Sequence, residues 1–76
     1  MSGGGAGAIE IRLNGAPATV ADGATLAEIV GATGLSPEAR GVAVALDGEV
    51  VRRAEWATTR VQAGQRVEVL TAVAGG

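Results

Sequence analysis

Ile9-Glu10-Ile11-Arg12-Leu13-Asn14-Gly15-Ala16-Pro17-Ala18-Thr19-Val20-Ala21-Asp22-Gly23 decides the fold. Ile9, Ile11 and Leu13 alternate with Glu10, Arg12 and Asn14, the period-two pattern of a strand with one face buried. Asn14-Gly15 signals a tight hairpin, because both central positions of a type I′ turn need positive φ. The chain is expected to return through Ala16 to Ala21 as a second strand. Pro17 lacks an N–H, so that strand belongs at a sheet edge or carries an irregularity. Asp22-Gly23 ends the hairpin.

Downstream, Thr25 and Glu28 stand in the Thr-x-x-Glu spacing of a capping box and mark a helix start. Leu26, Ile29, Val30 and Thr33 then form a stripe at helical spacing, suited to lie across a sheet. Gly34 is the expected stop, with Leu35 packing back. Gly31 weakens this helix by about 1 kcal/mol relative to alanine. Ser36-Pro37-Glu38 reads as the cap and first turn of a short helical segment, with proline at its first position. Val42, Val44 and Leu46 alternate again, Asp47-Gly48 signals a second hairpin, and Glu49 to Arg52 is its return strand. A non-periodic stretch from Arg53 to Gln65 precedes Val67-Glu68-Val69-Leu70, the last strand. The order β-β-α-β-β-β predicts an α+β domain with one helix on one face of a mixed sheet. The economical arrangement places the last strand beside the first, in the interior of the sheet.

Seventy-six residues make one domain, able to bury about 60% of its unfolded surface. The boundaries expected are a disordered leader over 1–7, a domain over 8–71 and a flexible tail over 72–76. The leader Met1-Ser2-Gly3-Gly4-Gly5-Ala6-Gly7 has neither the charged start nor the apolar run of a signal peptide, and nothing later approaches a membrane span. A cytoplasmic location without membrane attachment is expected. Cysteine and histidine are both absent, which removes disulfides, thiolate metal sites, a nucleophilic thiol and the commonest general base. Catalysis by this chain alone is not expected, and neither is a bound cofactor or metal. The net charge is −2, and the scattered arginines form no basic stripe for nucleic acid.

Chemistry is concentrated instead in Ala72-Val73-Ala74-Gly75-Gly76. A chain ending in two glycines presents its own carboxylate with no Cβ to obstruct attack at the terminal carbonyl. Residues 73–76 form a thin segment able to thread a partner's channel. The plainer reading of the same glycines is a frayed terminus.

Together with the element order and the Gly-Gly end, the run Leu46-Asp47-Gly48-Glu49-Val50-Val51-Arg52-Arg53-Ala54-Glu55-Trp56 resembles the ThiS family, β-grasp (ubiquitin-like) sulfur carriers of thiamine biosynthesis. The resemblance spans Ile9 to Gly76. Its most specific elements are Arg53 three residues before Trp56, Gly64 opening the last strand, and the tail Val73-Ala74-Gly75-Gly76. The family commonly has Asn-Gly at Asp47-Gly48, proline at Arg52, and aspartate at Gln65. The resemblance implies a cycle centred on Gly76. An E1-like adenylating enzyme activates the carboxylate with ATP, a sulfur-donor protein replaces the adenylate to give a thiocarboxylate, and thiazole synthase takes the sulfur. The chain itself is then a protein substrate, not an enzyme, and ATP belongs to its partner.

Two other functions stay open on the sequence: a related sulfur carrier for molybdopterin or cysteine synthesis, and a ubiquitin-like protein modifier. Molybdopterin-type carriers tend to have aromatic or proline residues before their Gly-Gly, where this chain has Leu70-Thr71-Ala72. Trp56 is read as a core anchor with its N–H satisfied, in preference to a partner contact. Val73 either seats the tail in a partner or finishes the last strand. Arg52 is read as solvated surface. The absence of lysine leaves an activated terminus no side-chain amine to acylate, although an arginine-favouring composition would produce the same absence.

Overall fold

Both hairpin turns take the geometry that their Asn-Gly and Asp-Gly pairs favour. In the computed structural model, which describes residues 7–36, 38 and 40–71, Asn14 and Gly15 have φ of 52° and 85°, and Asp47 and Gly48 have 50° and 88°. The first turn joins β1 (Ala8–Leu13) to β2 (Ala16–Ala21), antiparallel, with Leu13 opposite Ala16. The second joins β3 (Val42–Leu46) to β4 (Glu49–Val51), with Leu46 opposite Glu49. Between the hairpins lies α1 (Leu26–Ala32), and β5 (Arg66–Thr71) closes the order β-β-α-β-β-β expected from the sequence.

The five strands form one mixed sheet in the order β2-β1-β5-β3-β4. The last strand thus occupies the centre, parallel to β1 through Arg12–Arg66 and Leu13–Val67 and antiparallel to β3 from Leu46–Val67 to Val42–Thr71. β2 is an edge strand, which is what lets it carry Pro17.

Alternation sets the two faces. Ile11, Val44, Val67 and Val69 point toward α1 and are buried with its Leu26, Ile29 and Val30, joined by Ala24, Trp56 and Val61. Leu35 packs against this core as expected from the sequence. The helix start is the capping box that Thr25 and Glu28 announce: the Glu28 N–H donates to Thr25 Oγ1 at 3.2 Å and the Thr25 N–H to Glu28 Oε1 at 2.9 Å. Two further donors of the first turn find carbonyls in the segment after β4. Leu26 N–H donates to Thr59 O at 2.9 Å and Ala27 N–H to Trp56 O at 3.1 Å, so the free N–H groups of a helix start are satisfied by a neighbouring loop.

That loop contains the element that the sequence did not announce, a 3-10 helix over Arg53–Glu55. Trp56, at its end, is 2% exposed, and its indole Nε1–H donates to Val51 O at 2.9 Å while the Arg53 guanidinium lies 4.8 Å from the ring centroid. Trp56 is therefore the core anchor expected. Two details differ from the sequence reading, and a third expectation, the short helical segment at Ser36-Pro37-Glu38, falls partly outside the described residues. β4 stops at Val51, one residue early. Thr33 is exposed and caps the end of α1, its hydroxyl donating to Val30 O at 2.6 Å, because a threonine hydroxyl is better satisfied by a carbonyl of the last turn than by a core. Beyond Leu35, no helix is formed among the described residues before β3; Ser36 Oγ accepts the Glu38 N–H at 3.2 Å, while Pro37 lies outside the described residues. Of the expected leader only Gly7 is described, its carbonyl accepting the Asp22 N–H at 3.1 Å, and the expected tail over 72–76 lies outside the described residues.

Candidate functional site

Residues 72–76 follow β5 in the sequence, and the described end of that strand is held from both sides. Asn14 N–H donates to Val67 O at 2.9 Å, and its Oδ1 accepts the Val69 N–H at 2.8 Å, extending the support from β1 past the point where β1 itself ends. On the other side β3 stays paired as far as Thr71, opposite Val42. The start of β5 is fixed by Asp47, whose Oδ1 accepts the Arg66 N–H and whose Oδ2 accepts Gln65 Nε2–H, each at 2.9 Å. These two hydrogen bonds and the Arg66 charge hold the exposed Asp47 carboxyl below its ordinary value of 3.8, against a small opposing effect of desolvation. Thr71, paired opposite Val42, is therefore a fixed root at the end of the described residues.

Next to this root is an apolar area on the face of the sheet away from α1. Leu70 is 58% exposed and Val50 77%, the two exposed large apolar side chains among the described residues. The register places Leu70 beside Ala43 and Val50 beside Ala45, so the four lie on adjoining strands β5, β3 and β4. β4 ends with Val51 opposite Val44, so the exposed Arg52 follows at the Thr71 end of the sheet, and Arg12 and Arg66 face each other across β1 and β5 at the other end. Glu68, opposite Ala45, places a carboxylate on the same face between Arg66 and Leu70, so the exposed apolar side chains stand among charges of both signs.

Elsewhere the described residues bring no catalytic constellation together. A groove of about 350 Å³ between β2 and α1 is lined by Val20, Ala21, Ala24, Ile29 and Ala32, with Thr19 and Glu28 its only polar side chains. Glu28 is already engaged by the Thr25 N–H. Among the described residues there is no cluster of acidic side chains able to hold a metal, and no helix long and apolar enough to cross a membrane.

The site residues expected from the sequence, Val73, Ala74, Gly75 and Gly76, lie outside the described residues. What the sequence reading missed is the pair Val50 and Leu70. The signals were present: Leu70 shares the polar phase of its strand with Arg66 and Glu68, and two consecutive valines, Val50-Val51, cannot both face one core.

Comparison with known proteins agrees with this architecture. No match is found among curated proteins. The crystal structure of the thiamine biosynthesis protein ThiS from Geobacter metallireducens is similar at 34% identity and a TM-score of 0.74, covering 90% of this chain and all of that one. A solution structure of a thiamine biosynthesis protein from the same organism is similar at 34% identity and a TM-score of 0.73, covering 90% and 88% of the two chains. The model of the ThiS family matches residues 11–76, from the first core strand through the last glycine, and the chain belongs to that family.

Proposed function

We propose that this protein is a sulfur carrier of thiamine biosynthesis that works through the carboxylate of Gly76. A carboxylate is a poor electrophile until one oxygen becomes part of a good leaving group. In the proposed cycle a Gly76 oxygen attacks the α-phosphorus of ATP on an E1-like adenylating enzyme, and pyrophosphate leaves. A donor protein's persulfide sulfur then attacks the terminal carbonyl, the bond from that carbon to the adenylate oxygen breaks and AMP leaves with the electron pair. A thiol reductant then cleaves the S–S bond of the resulting acyl disulfide, itself becoming disulfide-bonded, and frees the thiocarboxylate. Thiazole synthase takes that sulfur and the carboxylate is regenerated. The chain supplies no catalytic group to these steps and is a carrier and substrate throughout. On this reading it works in the cytoplasm, where its partners have ATP.

The observation that carries the reading is that the ThiS match runs through Gly76 itself, five residues in sequence past Thr71, where the well-held strand β5 ends. A fixed root gives a partner a defined starting point, and a segment ending in two glycines is thin enough to enter a closed site where a mixed anhydride is kept from water. The face bearing Leu70 and Val50 adjoins that root and supplies the docking surface.

Intact-mass measurement before and after incubation with ATP, a sulfur source and the adenylating enzyme tests this. A gain equal to exchange of one oxygen for sulfur, localised by fragmentation to Gly76, is the expected result. Deletion of Gly76 is expected to leave the melting curve unchanged and abolish that gain. Thiazole formation by the deletion variant would overturn the reading.

A further inference from the structure

All six basic side chains are arginines, at positions 12, 40, 52, 53, 60 and 66, and the chain has neither lysine nor cysteine. This matters for a protein whose terminus is activated. A lysine amine titrates near 10.4, so about one in a thousand is neutral and nucleophilic near pH 7.4, whereas arginine stays protonated above pH 12. An amine within reach of an activated carbonyl on the same chain reacts at an effective concentration on the order of millimolar, far above what a dilute protein meets in solution.

The sheet register says which positions are within reach. Five residues past Thr71 span at most about 16–18 Å. Arg40 lies two residues before Val42, the β-partner of Thr71, and Arg52 follows Val51, which ends β4 opposite Val44, the partner of Val69. Both are exposed and both stand at the end of the sheet from which the tail leaves. Arg66 begins β5, five residues back from Thr71 and about 17 Å away along an extended strand, so a tail would need nearly its full length to return there.

We propose that the arginines at 40 and 52 serve as non-acylatable cations beside the tail root, sparing the activated Gly76 carbonyl from capture by its own neighbouring side chains; the proposal rests on the carrier reading above. In the reaction that they avoid, a neutral lysine Nζ forms a bond to the Gly76 carbonyl carbon. The bond from that carbon to the adenylate oxygen breaks, AMP leaves with the electron pair, and a proton goes from the new amide nitrogen to solvent. The product is a closed loop, one water lighter than the free acid, that can carry no sulfur. Arginine keeps the positive charge of the docking face and removes this branch.

The test does not depend on the adenylating enzyme. The full chain is prepared with Gly76 as a thioester, by thiol cleavage of a fusion, for the unsubstituted protein and for R40K, R52K and R66K. Decay at micromolar protein is then followed by intact mass and peptide mapping. The expected result is that R40K and R52K yield the internal amide, mapped to Gly76 and the new lysine, at least about tenfold faster than R66K, while the unsubstituted chain yields free acid. Circular dichroism confirms that each variant is folded. If R40K and R52K decay only to the acid, at the rate of the unsubstituted chain, the proposal is overturned. Because activation is chemical, that result would leave the sulfur-carrier reading standing, and absence of enzymic thiocarboxylation would not alter the outcome here.

Discussion

Asn14 and Asp47 hold the same place in two different hairpins, and each spends its side chain on β5. Asn14 reaches Val69 across 55 positions of sequence, and Asp47 reaches Arg66 across 19. The turns themselves were legible, since Asn-Gly and Asp-Gly tolerate the two positive φ values. Their second task was not, because a hydrogen bond to a distant strand leaves no local pattern. Asn14→Ala is expected to destabilise the domain by about 2 kcal/mol, combining a strained left-handed backbone with a lost hydrogen bond. Asn14→Gly, which relieves the strain but still loses the bond, is expected to cost about 1 kcal/mol, and urea titration separates the two. Asp47 gives the fold a pH dependence. Its carboxyl is lowered in the folded state, so its contribution is fully present above the ordinary value of 3.8 and is lost as pH falls through the lower folded value. Melting temperature followed downward from pH 5 should fall less steeply in Asp47→Asn than in the unsubstituted chain.

At the scale of elements, α1 shows how far short segments depend on their surroundings. Seven residues are too few to be helical alone, and this helix contains a glycine. Its start was readable from Thr25 and Glu28 because a capping box is a local device. The carbonyls of Trp56 and Thr59 that complete the cap were not, because they come from a loop with no periodicity. The same absence of periodicity hid the 3-10 helix over Arg53–Glu55, whose three residues are too few to repeat anything. Gly31 tests the balance. It is exposed, has negative φ, and a Cβ built there meets nothing within 4 Å. Gly31→Ala is expected to raise stability by about 0.5–1 kcal/mol, read as a higher urea midpoint with an unchanged slope.

For the whole molecule, the fold was legible because strand, helix and turn signals agreed along the chain, whereas the exposed apolar pair Val50 and Leu70 required the sheet register. Which valine of Val50-Val51 turns outward is settled only when β4 pairs with β3. Val50→Asp and Leu70→Asp are expected to fold, being already exposed, and to raise the KM of the adenylating enzyme for the carrier with little change in kcat. Equal KM values would assign docking to another surface. The parallel pairing of β1 with the central β5 has a mechanical consequence as well. A partner that draws the tail into a channel pulls along β5, and the hydrogen bonds to β1, β3 and Asn14 lie across that direction. Traction loads them together in shear and does not peel them one at a time, so the carrier can be hauled by its end without unravelling from it.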